Sequence, residues 1–163
     1  MRYGFDALAK DAVEAGIDGC LITDLSVEEA QDYVERMRLA GLDTVFLAAP
    51  TSPERRLELV ARYSTGFIYL VSRTGVTGER DTLSSSVQPL VESMRKVTAL
   101  PLAVGFGISR ADQAAEAARL SDAIVVGSAF VRVIEQNLAT GKMEAELEKL
   151  TRELKAPLER VPA

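Results

Sequence analysis

Three short stretches of the sequence each combine an apolar run with glycine, and together they could bind a phosphate group. The stretches are RTGVTGE at residues 73–79, VGFGIS at residues 104–109 and VVGSAF at residues 125–130. Phosphate oxygens need several backbone N–H groups in one concave patch, and glycine lets the backbone approach closely. The N-terminus of a following helix adds partial positive charge. Gly107, Gly127 and Ser128 are therefore candidate phosphate-binding residues, although glycine at a strand end is also an ordinary turn residue.

The residue types that the chain lacks exclude several other kinds of chemistry. The sequence has no histidine and a single cysteine, Cys20. Ser–His and Cys–His nucleophiles are therefore excluded, together with most zinc sites. Cys20 lies in the apolar stretch IDGCLIT, where a buried and unreactive thiol is expected. The sequence contains no Rossmann or Walker phosphate-binding motif, and we expect neither a metal nor a cofactor.

Composition and charge indicate the general class of protein. The 163 residues are 47% hydrophobic and 26% charged, which fits one globular domain with a core of its own. The net charge of −5 argues against nucleic-acid binding, because that requires a basic surface. The sequence shows neither an apolar run of about 18 residues nor a signal peptide, and its single cysteine suits a reducing compartment. We therefore expect a cytoplasmic protein that does not bind membranes.

The apolar patterns alternate between strand and helix along the whole chain. Strands are predicted over residues 17–23, 43–50, 66–72, 100–107 and 122–127. Helices are predicted over residues 5–15, 26–41, 52–64, 84–97, 109–120, 128–139 and 142–155. The strands are continuously apolar, as in a parallel sheet that is covered on both faces. A doubly wound open sheet and a (βα) barrel are both consistent with this pattern.

Local signals predict where the helices begin and which of their faces are buried. The predicted N-caps are Ser26 with Glu29 in a capping box, Ser52 with Pro53 at the first helical position, and Ser109 with Asp112. The predicted buried stripes are Val27, Ala30, Val34 and Met37 in one helix, and Val87, Leu90, Val91 and Met94 in another. Pro89 is expected in the first turn of its helix, where a missing N–H is tolerated.

Longer motifs resemble one enzyme family. YLVSRTGVTGER, AVGFGIS and DAIVVGSAFVRVIEQN resemble, in order and spacing, the three C-terminal motifs of the tryptophan synthase alpha subunit. GIDGCLITDLSVEE is similar to an earlier strand of that family with its terminal Asp, and FLAAPTSPERR to the strand after it. The resemblance implies a (βα)8 barrel and a lyase of tryptophan biosynthesis. Such a lyase splits indole-3-glycerol phosphate by a retro-aldol reaction into indole and glyceraldehyde 3-phosphate, and passes indole to a pyridoxal-phosphate beta subunit.

The resemblance also implies a set of substrate-binding residues. SRTGVTG is similar to the mobile loop of the family, in which Thr77 would be the latch and Gly78 would donate an amide to the phosphate. Gly107, Gly127 and Ser128 match the other phosphate contacts. Phe106 matches the aromatic residue that packs on the indole ring beside Tyr69. The apolar lining implied by the resemblance is Leu21, Leu47 and Val125.

The catalytic carboxylates of the family have no counterpart in the sequence. They are a Glu at the end of the second strand and an Asp on the loop after it, whereas MRYGFDALAKD at the start of this chain resembles the helix after the third strand. We therefore predict no catalytic residue. The resemblance implies that Asp24 orients loops and the subunit contact, whereas Glu79 and Asp81 are expected to be solvated charges.

These observations predict a partial α/β barrel. We expect a parallel (βα) barrel of TIM type with about five of its eight βα units, forming a single domain over residues 1–163. A truncated alpha chain would keep its phosphate site without turnover. Its first and last strands, IDGCLIT and DAIVVG, would be open edges that self-association could cover.

Two alternatives and two departures from the family accompany this interpretation. The alternatives are a non-catalytic half-barrel that acts as a binding module, and another phosphate-binding barrel enzyme such as an isomerase of histidine biosynthesis. SRTGVTG disfavours the isomerase, which would need a different loop. Thr23 and Ser26 replace the prolines that the family commonly has around Asp24, and ARLSDAIVV lacks a glycine before the last strand.

Overall fold

Strands and helices alternate along the chain in a computed structural model that describes residues 3–71, 83–105 and 107–160. The strands are β1 Gly19–Leu21, β2 Asp43–Ala48, β3 Ile68–Val71, β4 Leu102–Gly105 and β5 Ala123–Val125. The α-helices are α1 Phe5–Glu14, α2 Gln31–Leu39, α3 Glu54–Tyr63, α4 Leu83–Arg95, α5 Ala111–Ala118, α6 Ser128–Asn137 and α7 Met143–Lys155. Short 3₁₀ helices cover Val27–Glu29 and Leu158–Arg160. Each predicted strand and helix is present, and the observed strands are shorter than predicted.

The five strands form one parallel sheet in the order β1-β2-β3-β4-β5. Neighbours in space are therefore successive in the chain. A doubly wound sheet reverses its strand order at a switch point, whereas a (βα) barrel adds each strand beside the last. The consecutive order confirms the predicted partial barrel and excludes the doubly wound alternative. Within the described residues, β1 pairs only with β2 and β5 only with β4, so both are edge strands.

The two faces of the sheet differ in how they are covered. Phe46, Ile68, Leu70, Leu102 and Val104 point to one face, where they join helix residues in the buried core. The alternate residues point to the other face, which we call the inner face. Its strand register places Leu47 beside Tyr69, Tyr69 beside Ala103, and Gly105 beside Val125. The inner face is apolar, and its members Leu47, Tyr69 and Val125 are only partly buried.

The predicted helix stripes form much of the core. Val27, Ala30, Val34 and Met37 are at most 2% exposed, and Val87, Leu90, Val91 and Met94 are also buried. Burial of each such Val, Leu or Met side chain contributes about 1.5–3 kcal/mol. Tyr33 is fully buried beside Phe5 and Phe46, and its hydroxyl donates to the Cys20 carbonyl at 2.8 Å. The aromatic residues therefore attach α1 and α2 to the sheet.

The predicted capping box at Ser26 is wrong. Its hydroxyl donates to the Glu28 carboxylate instead of accepting from the helix backbone. Residues 27–29 form a 3₁₀ turn, and α2 begins at Gln31. A short side chain can bond to its own neighbours as easily as to a helix end, and here the nearer partner prevails.

Ser52 and Ser109 also differ from their predicted roles. Ser52 accepts a hydrogen bond from the Ala49 amide at 3.1 Å and closes the turn, so that Pro53 is the N-cap of α3. At the start of α5 the N-cap is Arg110. The Gln113 side-chain carbonyl accepts from the amides of Ser109 and Arg110 at 2.9 and 3.2 Å.

Pro89 lies within α4 and not in its first turn. It is the seventh residue of a helix that begins at Leu83. Because Pro89 has no N–H, it cannot donate to the fourth residue before it. The prediction placed the helix start one residue late and expected the proline to mark the first turn. The observed helix tolerates an exposed proline because Val87, Leu90 and Met94 anchor it to the core.

Polar groups connect the elements at the end of the sheet where the strands begin. The Asp122 carboxylate accepts from the Leu102 amide at 2.7 Å and from Arg95, whose guanidinium also donates to the Leu100 carbonyl at 3.0 Å. The end of α4 is thereby tied to β4 and to the residue before β5. Among the residues that the structure describes, no helix is both long enough and apolar enough to span a membrane.

Candidate functional site

A cavity of about 400 Å³ opens where the carboxyl ends of β3, β4 and β5 meet. The described residues that line it are Tyr69, Gly107, Ile108, Val125, Gly127, Ser128, Ala129 and Arg132. The carboxyl ends of parallel strands lie at one edge of the sheet, so the loops after successive strands converge there. This convergence brings together residues that are up to 63 positions apart in the sequence, from Tyr69 to Arg132.

The N-terminus of α6 forms one wall of the cavity. Gly127 is the N-cap, and its carbonyl accepts from the amides of Phe130 and Val131 at 2.9 and 3.2 Å. The amides of Ser128 and Ala129 precede these first helical bonds. A ten-residue helix concentrates partial positive charge at this end, and its first amides have no acceptor within the helix. This wall can therefore bind an anion.

Gly107 contributes a turn to the wall of the same cavity. Its φ of 89° lies in the left-handed region, which residues other than glycine rarely adopt. Gly107 is exposed on the cavity wall, whereas the next residue, Ile108, is 3% exposed and part of the core. The turn thus places exposed backbone in the cavity while an adjacent side chain anchors the loop.

The Tyr69 side chain lies on the inner face, and its position depends on Gly105. A Cβ atom on Gly105 would lie 2.6 Å from the Tyr69 ring edge and from its hydroxyl, and 2.8 Å from Val125 Cβ. Only glycine leaves room for this arrangement. A phenol is protonated at neutral pH and can donate a hydrogen bond, and burial raises the pKa of Tyr69 further.

The structure brings together five of the ten predicted binding residues, namely Tyr69, Gly107, Val125, Gly127 and Ser128. Leu47 lines a separate recess of about 250 Å³ with Ser52 and Arg56. Leu21 lies on the edge strand β1 and is not among the described residues of the cavity. The remaining predictions, Thr77, Gly78 and Phe106, lie outside the described residues, as do Glu79 and Asp81.

Three lining residues were missed by sequence reasoning: Ile108, Ala129 and Arg132. Ile108 and Ala129 simply neighbour predicted residues. Arg132 had a readable signal, because it lies four residues after Ser128 in a predicted helix and such residues share a face. Asp24 is exposed on the turn after β1 and is not among the described lining residues.

The chemistry available in the cavity is that of binding. Its described lining contains backbone amides, one hydroxyl, one phenol and one guanidinium, and no described lining residue is Asp, Glu, His or Cys. Over the three described ranges, no group of three or more His, Cys, Asp or Glu residues could hold a metal ion. The arrangement suits a ligand that carries an anionic group and also has an apolar part, which would lie beside Val125.

Comparisons with known sequences identify relatives of the whole described chain. A family model described as tryptophan synthase alpha chain matches residues 1–159. The tryptophan synthase alpha chain of Solibacter usitatus is 65% identical over 155 residues, which is 95% of this chain and 58% of the relative. That of Methanosarcina mazei is 46% identical over 156 residues, covering 95% of this chain and 56% of the relative.

Solved structures give the same result. Tryptophan synthase from M. tuberculosis in an open form matches 99% of this chain and 58% of its own, at 34% identity and a TM-score of 0.83. The tryptophan synthase a2b2 complex from Pyrococcus furiosus matches 95% of this chain and 62% of its own, at 34% identity and a TM-score of 0.84. The chain therefore spans somewhat over half the length of the relatives that it matches.

Proposed function

The chain belongs to the tryptophan synthase alpha chain family, and from this membership we propose that its cavity binds the phosphate group of indole-3-glycerol phosphate. One observation carries the proposal. Gly107, Gly127 and Ser128, which come from two successive loops, line a single cavity together with the N-terminus of α6. The cavity thus combines the exposed backbone of a left-handed glycine with a helix N-terminus. This combination is suited to binding phosphate.

The apolar part of the same cavity would hold the indole end of the substrate. Tyr69 and Val125 lie on the inner face beside the phosphate-binding loops. An aromatic ring that packs on Tyr69 gains contact area, and offset or edge-to-face ring pairs contribute about 0.5–1.5 kcal/mol beyond burial. The two ends of the cavity thus match the two ends of the proposed substrate.

The proposed reaction of the whole protein is the retro-aldol cleavage that yields indole and glyceraldehyde 3-phosphate. Its proton transfers need positioned carboxylates whose pKa values are adjusted by a dry pocket. The described residues that line the cavity include no carboxylate. We therefore assign to these residues the binding and orientation of the substrate and not the proton transfers.

The phosphate assignment is tested by titrating the chain with glycerol 3-phosphate in a calorimeter. We expect saturable binding by the unaltered chain. Ser128→Asp introduces a negative charge at the N-terminus of α6 and should abolish binding. Ala145→Asp makes the same change on an exposed position of α7, outside the described lining of the cavity, and should bind like the unaltered chain. Absence of binding by the unaltered chain would refute the proposal.

Turnover by the chain alone distinguishes a catalyst from a binding module. We expect no indole from indole-3-glycerol phosphate, because the described lining of the cavity provides no acid or base of suitable type. Indole formation above the background rate by the purified chain would show that it supplies its own proton-transfer groups. A non-catalytic binding module remains the second candidate, and the uncharged or apolar character of most lining residues favours it.

We also propose a domain organisation and a partner. Residues 1–163 would form one domain, since all five strands join a single sheet. The beta subunit of tryptophan synthase would be the partner, because the Pyrococcus furiosus relative is solved as an a2b2 complex. Co-elution of the chain with a purified beta subunit on gel filtration would support this partner, and separate elution at micromolar concentration would count against it.

A further inference from the structure

We propose that Arg132 makes the cavity select a doubly charged phosphate monoester over a singly charged anion of the same shape. The inference rests on the proposed function, because it concerns the ligand of the same cavity. It adds a specificity-determining residue on α6 to the glycine turns and the helix N-terminus. Neither the glycine pattern nor the implied set of binding residues includes this side chain.

The position of Arg132 follows from helix geometry. It lies one turn after Ser128 on α6, so the two side chains share a face of the helix. Side chains in a helix lean toward the N-terminus, and the Arg132 side chain therefore extends toward the turn that begins at Ser128. Both residues line the cavity and both are exposed. A ligand at the helix N-terminus would lie within reach of the guanidinium.

The charges around the cavity give Arg132 its distinct role. The other seven described lining residues carry no charge at neutral pH, Tyr69 among them, because a phenol titrates near pH 10 and burial raises its pKa further. Arg132 takes part in none of the ion pairs between described residues, so no carboxylate among them neutralises its charge. Glu135 is the other charged residue of α6 and is not among the described lining residues.

A second negative charge on the ligand requires a full positive charge on the protein to balance it. The helix N-terminus supplies only about half an elementary charge, and the amides of a glycine turn supply only partial charges with no net charge. A guanidinium adds a whole charge and a planar set of N–H donors that matches phosphate oxygens. Removal of Arg132 should therefore reduce the preference for a dianion more than it reduces anion binding in general.

Two ligands of one shape and different charge test the proposal at a single pH. At pH 8 glycerol 3-phosphate carries two negative charges, because the second pKa of a phosphate monoester is about 6, whereas glycerol 3-sulfate carries one. We expect the unaltered chain to bind the phosphate at least about tenfold more tightly than the sulfate. Arg132→Gln should lower this ratio to about two, and Arg132→Lys should retain most of it.

The controls separate charge selection from other losses. Arg119→Gln removes an exposed arginine just after α5, outside the described lining of the cavity, and should leave the ratio unchanged. Each variant should unfold thermally at the temperature of the unaltered chain, because Arg132 is exposed. If the unaltered chain binds neither ligand, the proposed function fails and this inference with it. If it binds both and Arg132→Gln leaves the ratio intact, only the assignment to Arg132 is overturned.

Discussion

Two buried hydroxyl groups near the start of β3 differ in whether they have a partner. Ser64, just after α3, is 4% exposed, and its hydroxyl has no hydrogen-bond partner among the described residues. A buried polar group without a partner costs about 1–3 kcal/mol in desolvation. We therefore expect Ser64→Ala to stabilise the chain by up to about 1 kcal/mol, measured as a higher urea midpoint with an unchanged m-value.

Thr44 provides the matched control for Ser64. It is fully buried on β2, and its hydroxyl donates to the Tyr63 carbonyl one residue before Ser64. Thr44→Val keeps the shape of the side chain but leaves that carbonyl unpaired, so it should destabilise the chain by about 1–2 kcal/mol. A Ser64→Ala variant that is as destabilised as Thr44→Val would show that the Ser64 hydroxyl also has a stabilising bond.

Gly105 limits the space available to Tyr69. Because a Cβ atom there would lie 2.6 Å from the Tyr69 ring, Gly105→Ala must displace that ring or the neighbouring Val125. We expect a destabilisation of about 1–3 kcal/mol, together with weaker glycerol 3-phosphate binding. In a Tyr69→Ala background the same substitution should cost clearly less, since the main clash is gone. Equal costs in both backgrounds, measured by urea unfolding, would rule out Tyr69 as the limiting neighbour.

Residue types at strand ends made three of the eight described lining residues predictable. Gly107, Gly127 and Ser128 could be identified because glycine and serine before a helix report on the backbone itself. Tyr69 and Val125 came from the family resemblance, since an apolar residue in a strand looks like ordinary core. Arg132 was missed although its spacing from Ser128 was readable, because the sequence does not show which face of the helix turns toward the cavity.

At the scale of elements, Asp122 holds α4, β4 and β5 together through its carboxylate. Its partial burial opposes ionisation, but hydrogen bonds from the Leu102 amide and from Arg95 outweigh this and lower its pKa. A lowered pKa contributes stability that is present above the unfolded-state value of about 3.9 and is lost as pH falls through the folded-state value. Asp122→Asn should therefore cost about 1 kcal/mol at pH 7, because the group is half exposed.

The pH dependence of that cost is the informative measurement. Urea unfolding at pH 7 and at pH 2.5 should show that the difference between the unaltered chain and Asp122→Asn shrinks in acid. Asp112→Asn serves as the control, because Asp112 pairs with Arg110 two residues away at the exposed start of α5. It should change stability little at either pH. A constant cost of Asp122→Asn across this range would contradict a role for the ionised carboxylate.

Helix bodies could be predicted more reliably than helix ends. The stripe from Val27 to Met37 is buried as predicted, because the 3.6-residue period reports directly on which face meets the sheet. The caps at Ser26, Ser52 and Ser109 were wrong, because each serine has a local alternative: a nearby carboxylate, a turn amide or a competing glutamine. A capping motif indicates that a capping hydrogen bond is possible, whereas the surrounding backbone determines whether that bond forms.

For the molecule as a whole, apolar surface remains exposed along α6. Val131 and Ile134 on α6, and Leu138 directly after its last residue, lie at helical spacing and are 52%, 36% and 74% exposed. We expect the chain to self-associate through this stripe, with light scattering showing a mass that rises with concentration. Leu138→Lys should raise the midpoint concentration about tenfold, since burial of a leucine contributes about 1.5–3 kcal/mol. Gln136→Lys, on the same helix but off the stripe, should not.

The strand order has a consequence for how the chain folds. Each strand pairs with the one that precedes it in the sequence, one helical connection away. The sheet can therefore grow one unit at a time as residues leave the ribosome, without waiting for a distant segment to return. Closure of loops of similar, moderate length replaces a single large entropic barrier by several small ones. Among the described strands, β1 and β5 have a single neighbour each, so they should open before the central strands.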